Sequence, residues 1–329
     1  MRILHTSDWH LGKRLFKLDR APEHELFLDW LIGTLIDKDI DLLLIAGDVF
    51  DSPTPPHTAL EMFYNFLHRV SVETKTETFI IAGNHDSGLL LEAPSKLMKP
   101  HRVRVWGKLS PETSDHWCEF KKGNETLEIC ALPFFRSYEL LPQGEGDALV
   151  ALKKYLERPK TSAQLLMLHH LAGVFEAAGS EQVISLSGVD SIPVDILRSF
   201  DYVALGHIHK PQKVATNSYY SGSPIPLRFS ETIGKSVVLI EQNKGVLSSD
   251  TLSIPSFRAL SILRVDETNW REKLSALNLS SPLTPMVEVQ MSLKAPVVGL
   301  IDELKRSLVE KNYELLSYLP SYGEWRSTV

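Results

Sequence analysis

Several short apolar runs in this sequence are followed directly by side chains that can bind a metal ion. Together they offer two carboxylates, one amide oxygen and four imidazoles as candidate ligands, with no thiolate. Such donors suit manganese, iron or zinc, and the lack of sulfur argues against a structural zinc site. Seven ligands suit two metals about 3.5–4 Å apart, bridged by a carboxylate, as in phosphoryl transfer. The candidate ligands are Asp8, His10, Asp48, Asn84, His169 or His170, His207 and His209.

Each of these residues has an ordinary structural explanation when it is taken alone. A histidine after an apolar strand is usually a hydrogen-bonded structural residue. Asp48 is compatible with a turn or a helix cap, and Asn84 with a left-handed turn after Gly83. Five such positions in one chain, each directly after an apolar run, are far rarer by chance than any one of them. We therefore interpret the set as one site.

The apolar runs predict buried strands, and helical spacing of apolar residues predicts helices between them. The carboxyl ends of strands in an open α/β sheet lie at one edge, so the polar residues should converge there. The alternation predicts an α/β layered domain. The predicted strands are Ile3–Leu4, Asp41–Ile45, Thr78–Ile81, Gln164–Leu168 and Tyr202–Leu205, and the predicted helices are Pro22–Ile36 and Pro56–Val70.

The chain beyond about residue 212 has a different pattern of short segments. Ser236–Glu241 and Val246–Ser253 predict a hairpin, and Ser253–Phe257 a linker. After the linker, the pattern predicts a βαβαβ arrangement, with strands at 258–265, 286–293 and 313–318 and helices at 269–277 and 297–310. We therefore predict a catalytic domain at 1–255 and a small α+β domain at 256–329.

Composition bounds the class of protein. The chain has 329 residues, 43% hydrophobic and 23% charged, as expected for a globular protein, and we expect neither a signal peptide nor a membrane span. Cys118 and Cys130 flank a predicted hairpin turn at Lys121–Asn124, which would place Cys118 opposite residue 127, so we expect no disulfide and a reducing, cytoplasmic setting. The net charge of −6 means that attraction to nucleic acid must come from bound cations and local basic patches.

The sequence resembles the calcineurin-like metallophosphoesterases, whose Asp-x-His, Gly-Asp, Gly-Asn-His-Asp, His and Gly-His-x-His motifs it contains in full. More narrowly, it is similar to the SbcD nucleases over about residues 1–255. The stretches that carry this resemblance are HTSDWHLG (His5–Gly12), AGDVFD (Ala46–Asp51), AGNHDS (Ala82–Ser87), ALGHIHKPQ (Ala204–Gln212) and YSGSPIPLRFSE (Tyr220–Glu231). It implies the layered αββα sandwich of that family, followed by a small capping domain.

The resemblance also implies a role for each matching residue. One metal would be held by Asp8, His10 and His209, and the other by Asn84, His207 and one histidine of the 169–170 pair, where we prefer His170 because HLAGV aligns better with the family. Asp48 would bridge the two metals. His85 would protonate the leaving oxygen. Asp86 would orient His85, and Asp51 stands where archaeal relatives often carry histidine; both also fit turn or cap residues.

The function implied is a manganese-dependent DNA nuclease, an exonuclease on duplex ends and an endonuclease on hairpins or single strands. Such nucleases act in DNA repair, recombination and replication as a homodimer with an SbcC-type coiled-coil ATPase. Members usually continue into a helical segment that contacts SbcC, whereas this sequence ends at Val329, which leaves partner binding open. The alternatives are a small-molecule phosphodiesterase of the same fold and a non-catalytic scaffold, although scaffolds typically lose ligands and none is missing here.

Basic residues follow the first motif within one loop, at Lys13, Arg14, Lys17 and Arg20, where we expect contacts to DNA phosphates. A second basic stretch runs from Lys96 to Lys108 and includes Arg102 and Arg104, which would share one face of an extended segment. A charged edge strand explains it equally well. Gly234-Lys235-Ser236 resembles the end of a P-loop, but Phe229 replaces the required glycine, so we expect no ATP site there.

Overall fold

The computed structural model describes residues 1–141, 146–177, 191–231 and 233–322. Its helices are α1 (Ala21–Asp37), α2 (His57–Glu73), α3 (Gly88–Glu92), α4 (Ser95–Met98), α5 (Ser137–Leu140), α6 (Ala148–Leu156), α7 (Val194–Leu197), α8 (Trp270–Ala276) and α9 (Leu300–Glu310). Its first ten strands are β1 (Arg2–Thr6), β2 (Arg14–Leu15), β3 (Leu18–Asp19), β4 (Leu42–Ala46), β5 (Glu77–Ile81), β6 (Val103–Trp106), β7 (Trp117–Lys122), β8 (Glu125–Leu132), β9 (Ala163–His169) and β10 (Tyr202–Gly206). The later strands are β11 (Gln212–Ala215), β12 (Ser218–Tyr220), β13 (Ser236–Asn243), β14 (Val246–Ser253), β15 (Arg258–Asp266), β16 (Leu283–Leu293) and β17 (Glu314–Tyr322).

Two six-stranded sheets form the main body. The first has the order β14-β13-β1-β4-β5-β6 and the second β11-β12-β10-β9-β8-β7. Apolar side chains from both sheets, such as Leu44, Phe79, Met167 and Ala204, pack into one buried layer between them. Helices α1 and α2 cover the outer face of the first sheet, and α6 and α7 pack on the second. This is the αββα sandwich that the resemblance implied.

The strands that carry the candidate ligands are parallel neighbours. β1 pairs with β4 and β4 with β5 in the first sheet, while β9 pairs with β10 in the second. Their burial is nearly complete, which explains why they appear in the sequence as continuous apolar runs. All five predicted strands and both predicted helices are present, and the predicted hairpin is β13–β14.

The segment from Arg258 to Tyr322, here called the C-terminal sheet segment, contains three parallel strands in the order β15-β16-β17 with α8 and α9 between them. The predicted βαβαβ order of elements is confirmed. β16 begins earlier and β17 ends later than predicted, and these extensions contain Pro285 and Pro320. β17 is an edge strand, where a proline is tolerated because its missing N–H need not pair.

The hairpin that carries the cysteines has a different register from the one predicted. Cys118 lies opposite Ile129, and Cys130 opposite Trp117. The loop is centred on Gly123 and Asn124, with Gly123 at a φ of 58°, so the centre of the hairpin lies one residue later than expected. Both cysteines are free thiols, as predicted. Among the described residues, no helix has both the length and the apolar character needed to span a membrane.

Candidate metal centre

The loops that follow β1 and β4 are joined by backbone hydrogen bonds beyond the strand ends. The N–H of Asp8 donates to the carbonyl of Gly47 over 2.9 Å, and that of His10 donates to the carbonyl of Asp48 over 3.0 Å. The second sheet joins the same cluster, because the N–H of His207 donates to Asp8 Oδ1 over 3.0 Å. The two sheets therefore meet at their carboxyl ends, as the strand pattern predicted.

Trp9, between the candidate ligands Asp8 and His10, anchors the first motif in the core. Its ring is fully buried and contacts Phe27 of α1 and Phe66 of α2, with ring centroids 5.6 and 5.2 Å away. With Trp9 fixed in the helix layer, both neighbouring side chains remain in the buried cluster.

Four of the candidate ligands have left-handed backbone conformations, which non-glycine residues rarely adopt. The φ angles are 54° at Asp8, 50° at His10, 51° at Asp48 and 100° at His207. Strained backbone of this kind costs about 1–3 kcal/mol per residue and is concentrated at functional sites. The surrounding fold therefore holds these side chains in place at a cost in stability.

One half of the cluster contains Asp8, His10 and His209, whose donor atoms lie within 4.8 Å of one another. His10 Nε2 is 3.1 Å from His209 Nε2, and His209 Nε2 is 3.9 Å from Asp8 Oδ1. All three side chains are almost completely buried.

The other half contains Asn84, His169 and His207. Asn84 Oδ1 is 3.1 Å from His169 Nε2 and 2.8 Å from His207 Nδ1. Asp48 lies between the halves, because its Oδ2 is 3.5 Å from His10 Nε2 and 3.4 Å from His169 Nε2. The structure thus brings together both predicted groups, with the Asp48 carboxylate between them.

The histidines are held with defined nitrogens facing the cluster. His169 Nδ1 lies 2.7 Å from the carbonyl of Ala46, so Nδ1 carries the proton and Nε2 presents its lone pair. His10 Nδ1 lies 3.1 Å from Asp51 Oδ1 and likewise leaves Nε2 for the cluster. Gly206 permits this packing, since a Cβ there would lie 1.9 Å from the carbonyl oxygen of Ala46.

The preference for His170 within the 169–170 pair is wrong. His170 Nε2 accepts the N–H of Phe135 over 3.3 Å, and its ring packs against Phe134 and Phe135. Successive residues of a strand point to opposite faces, so only one of the two histidines can face the cluster. That histidine is His169, the last residue of β9.

His85 lies beside the cluster, with its ring centroid 4.8 Å from that of His10. Its backbone N–H donates to Asp48 Oδ1 over 2.8 Å, and its Nδ1 is 3.0 Å from the carbonyl of Asp51. Because Nδ1 faces an acceptor, Nδ1 carries the proton of the neutral ring. Nε2 is then the nitrogen that is free to contact a substrate.

Asp86 does not orient His85, contrary to the expectation. Its carboxylate accepts the backbone N–H groups of Val49, Phe50 and Gly83, at 3.1, 2.9 and 2.8 Å, and so ties the loop after β4 to the loop after β5. Asp51 has a different role, because its Oδ1 lies 3.1 Å from His10 Nδ1 and 3.0 Å from Lys13 Nζ.

Two supporting residues were missed from the sequence. Lys235 Nζ donates to the carbonyl of His209 over 3.1 Å and to Glu231 Oε2 over 2.5 Å, and Glu231 Oε1 is 4.0 Å from His209 Nδ1. Lys235 is the lysine of the apparent P-loop ending, and its burial within this network excludes it from phosphate binding. Both residues lie outside the helices and strands, so no periodic pattern in the sequence marked them.

The electrostatics of the cluster fit divalent cations. Burial, with the neighbouring charge of Asp48, raises the pKa of Asp8 to about 6, although His169 opposes the shift. Burial disfavours a charged His169, but Asp48 and Asp8 outweigh burial and raise the pKa of His169 to about 9. Burial lowers the pKa of His207 to about 3. The two carboxylates thus favour positive charge at His169 Nε2, which a divalent cation would supply in place of a proton, and the donor set suits two divalent metals.

The basic residues after the first motif have different surroundings. Arg14 and Lys17 are exposed, and Lys13 is partly exposed beside Asp51. The expected DNA contact of Arg20 is wrong, because Arg20 is fully buried and its Nε lies 2.6 Å from Glu23 Oε1. Burial lowers the pKa of its guanidinium.

The second basic stretch does not form a shared face. Arg102 precedes β6 in a left-handed conformation and donates to the carbonyls of Ser71 and Thr74, both over 2.9 Å. Arg104 lies in the edge strand β6 with its guanidinium 5.1 Å from the ring centroid of Phe79. The explanation as a charged edge strand is therefore the better one.

The fold and this donor set define a metal-dependent phosphodiester hydrolase. A family model described as calcineurin-like phosphoesterase matches residues 1–211, which contain all seven candidate ligands. The chain belongs to that family and, within it, to the SbcD group.

Three relatives support the narrower assignment, all described as the SbcD component of nuclease SbcCD. The Escherichia coli (strain K12) protein is 32% identical, with the match covering 81% of this chain and 71% of the relative. The Rhodobacter capsulatus protein is 35% identical, covering 70% of this chain and 64% of the relative. The Bacillus subtilis (strain 168) protein is 34% identical, covering 74% and 67%.

Proposed function

We propose that this chain is a manganese-dependent DNA nuclease that degrades duplex ends as an exonuclease and cuts hairpins or single strands as an endonuclease. The observation that carries the proposal is the buried cluster around Asp48, in which two groups of ligands share one carboxylate. Membership of the SbcD group supports DNA as the substrate, because the relatives are described as nucleases.

The ligands we propose are Asp8, His10 and His209 for one metal and Asn84, His169 and His207 for the other, with Asp48 common to both. When bound, the two cations supply Lewis-acid charge for attack of water on phosphorus. Asp51 holds the ring of His10, and the carbonyl of Ala46 holds that of His169, so the chain fixes both imidazoles before any metal binds.

We propose that His85 Nε2 carries the proton that is transferred to the leaving oxygen. The contact of Nδ1 with the carbonyl of Asp51 fixes the ring, and the backbone contact with Asp48 keeps it beside the ligands. We further assign to Lys13 and Arg14, which follow the first motif and are partly or fully exposed, the binding of phosphates next to the scissile one.

We further propose that the chain acts in the cytoplasm, in DNA repair, recombination and replication, as a homodimer with an SbcC-type coiled-coil ATPase. The support is the description of the relatives as one component of a complex. Co-purification of this chain with such an ATPase tests the partner.

The decisive experiment is an assay on end-labelled hairpin and duplex DNA with manganese, magnesium or chelator. We expect cleavage with manganese, weaker cleavage with magnesium and none with chelator. Hydrolysis of cyclic nucleotides with intact DNA would instead identify a small-molecule phosphodiesterase. Hydrolysis of neither would overturn the proposal.

A further inference from the structure

A basic cleft lies between the first metal-binding loop and the C-terminal sheet segment. It has a volume of about 510 Å³, within the range of pockets that bind nucleotide-sized groups. Its lining includes Lys13, Arg14, Phe16, Arg228, Phe229 and Arg264, and we call it the hairpin cleft after the β2–β3 hairpin at its edge. The backbone N–H of Lys13 donates to the carbonyl of the candidate ligand His10 over 2.9 Å, so one wall of the cleft belongs to the same loop as this ligand.

Phe16 is unusual in both exposure and conformation. It is the first residue of the two-residue loop between β2 and β3, which pair Leu15 with Leu18. Its φ is 54°, where such loops ordinarily carry asparagine or glycine, and its side chain is 56% exposed. An aromatic residue that is both strained and exposed contributes little to the stability of the folded state. Its ring centroid lies 6.3 Å from that of Phe229, which is buried, so the two rings are close neighbours on the inner side of Phe16.

The charges around Phe16 are complementary to a polyanion. Among the described residues that line it, the cleft carries Lys13, Arg14, Arg228 and Arg264 against the carboxylate of Glu288, and Lys13 is also paired with Asp51 over 3.0 Å. The whole chain, by contrast, has a net charge of −6. Arg264 comes from β15, so both the main body and the C-terminal sheet segment contribute cations. Cations around an exposed aromatic ring are the arrangement by which proteins bind single-stranded nucleic acid.

We propose that Phe16, supported by Phe229, is a stacking platform for an unpaired DNA base, while the surrounding cations hold the neighbouring phosphates. This rests on the proposed nuclease function and specifies which DNA the site prefers. A paired base has no free face for Phe16, whereas a frayed end, a hairpin loop or a single strand offers one. The platform therefore selects DNA in which bases beside the scissile phosphate are unstacked.

The test measures binding of a single-stranded oligonucleotide that contains 2-aminopurine, whose fluorescence is quenched when the base stacks. Binding is measured in chelator and, with phosphorothioate-linked DNA, in manganese. The variants are Phe16→Ala, Phe16→Leu and Phe16→Trp. The control is Val246→Ala, which removes an exposed side chain next to the β13–β14 turn, away from the cleft.

We expect Phe16→Ala and Phe16→Leu to weaken single-strand binding about 5- to 100-fold, the scale of one base–aromatic stack. Both should abolish quenching, while Phe16→Trp and Val246→Ala behave as wild type. Hydrolysis of a chromogenic phosphodiester and the thermal unfolding midpoint should be unchanged, which separates loss of stacking from misfolding.

Wild-type affinity and quenching in Phe16→Ala would overturn the platform and leave the nuclease function intact. The proposal is also contradicted if Phe16→Leu binds single strands as tightly as wild type, because leucine supplies apolar area without an aromatic face. If the wild-type chain binds no DNA and cleaves none, the platform and the proposed function both fail.

Discussion

Asp48 lies between the two halves of the cluster, and we expect the binding of two metals to depend on it. Its Oδ2 lies within 3.5 Å of a histidine from each half of the cluster, while its Oδ1 accepts the N–H of His85. We predict that Asp48→Ala lowers the metal content measured by elemental analysis well below two per chain, because the two cations lose the carboxylate between them. Asp37→Ala, which changes an exposed aspartate at the end of α1, should retain both metals. Two metals and full activity in Asp48→Ala would exclude the bridging assignment.

His169 and His170 differ by one position along β9, and their surroundings predict opposite results. We expect His169→Ala to lose metal, since its Nε2 faces Asp48 and Asn84. His170→Ala should lose stability through its contacts with Phe134 and Phe135 but keep both metals. Metal content and unfolding midpoint, measured on both variants, distinguish the two effects. The reverse outcome would restore the preference for His170.

We assign His85 the role of a proton donor, although its donor atoms lie close enough to those of His10 and Asp51 to share a metal ion. Since Nδ1 contacts the carbonyl of Asp51, only Nε2 can serve as the acid. We predict that His85→Gln keeps both metals and DNA affinity while turnover falls about 10²- to 10⁴-fold, the usual scale for loss of general acid–base catalysis. Substrates with good leaving groups should be less affected, because they need no proton. Loss of metal in this variant would make His85 a ligand, and normal turnover would leave it without a catalytic role.

At the scale of elements, a buried ionic contact joins α1 to the first strand of the C-terminal sheet segment. Glu23 Oε1 lies 2.6 Å from Arg20 Nε and 2.7 Å from Arg258 Nε, and all three side chains are buried. We predict that Glu23→Gln destabilises the protein by about 3–5 kcal/mol, because two buried guanidinium groups lose their carboxylate. Denaturant unfolding measures this, with Glu25→Gln on the exposed face of α1 as the control, expected within about 0.5 kcal/mol of wild type. An equal effect in both variants would mean that this contact contributes nothing specific.

At the scale of the whole molecule, we propose that residues 1–255 and 256–329 are separate domains. The C-terminal sheet segment buries one face under α8 and α9, and its other face contacts Leu15 and Phe229 through Met286. We predict that a chain ending at Ser256 binds both metals and hydrolyses a generic phosphodiester, but processes structured DNA ends poorly, because it loses Arg264 and the wall of the hairpin cleft. The two activities of the truncated chain are compared by a nuclease assay on duplex ends and by hydrolysis of a chromogenic diester. Equal loss on both substrates would mean that the segment supports the fold instead.

The sequence by itself determined the strands, the order of the motifs and the chemistry of the ligand set. The buried parallel strands are continuous apolar runs, and β1, β4, β5, β9 and β10 each end at the polar residues that form the cluster. These features are local, because burial on both faces selects apolar residues and the chain must leave the sheet where each strand ends. The βαβαβ order after residue 256 followed from the same periodicity.

Only the tertiary structure decided which of two adjacent histidines faces the cluster, because both follow the same strand and the choice depends on which side of β9 meets Asn84. It also decided that Arg20 is buried with Glu23 and Arg258, although Glu23 and Arg258 lie 235 positions apart in the chain. Partners so distant are set by packing of whole elements, and no local pattern records them. The same is true of the hairpin cleft, where Phe16, Phe229 and Arg264 come together from three separate parts of the chain.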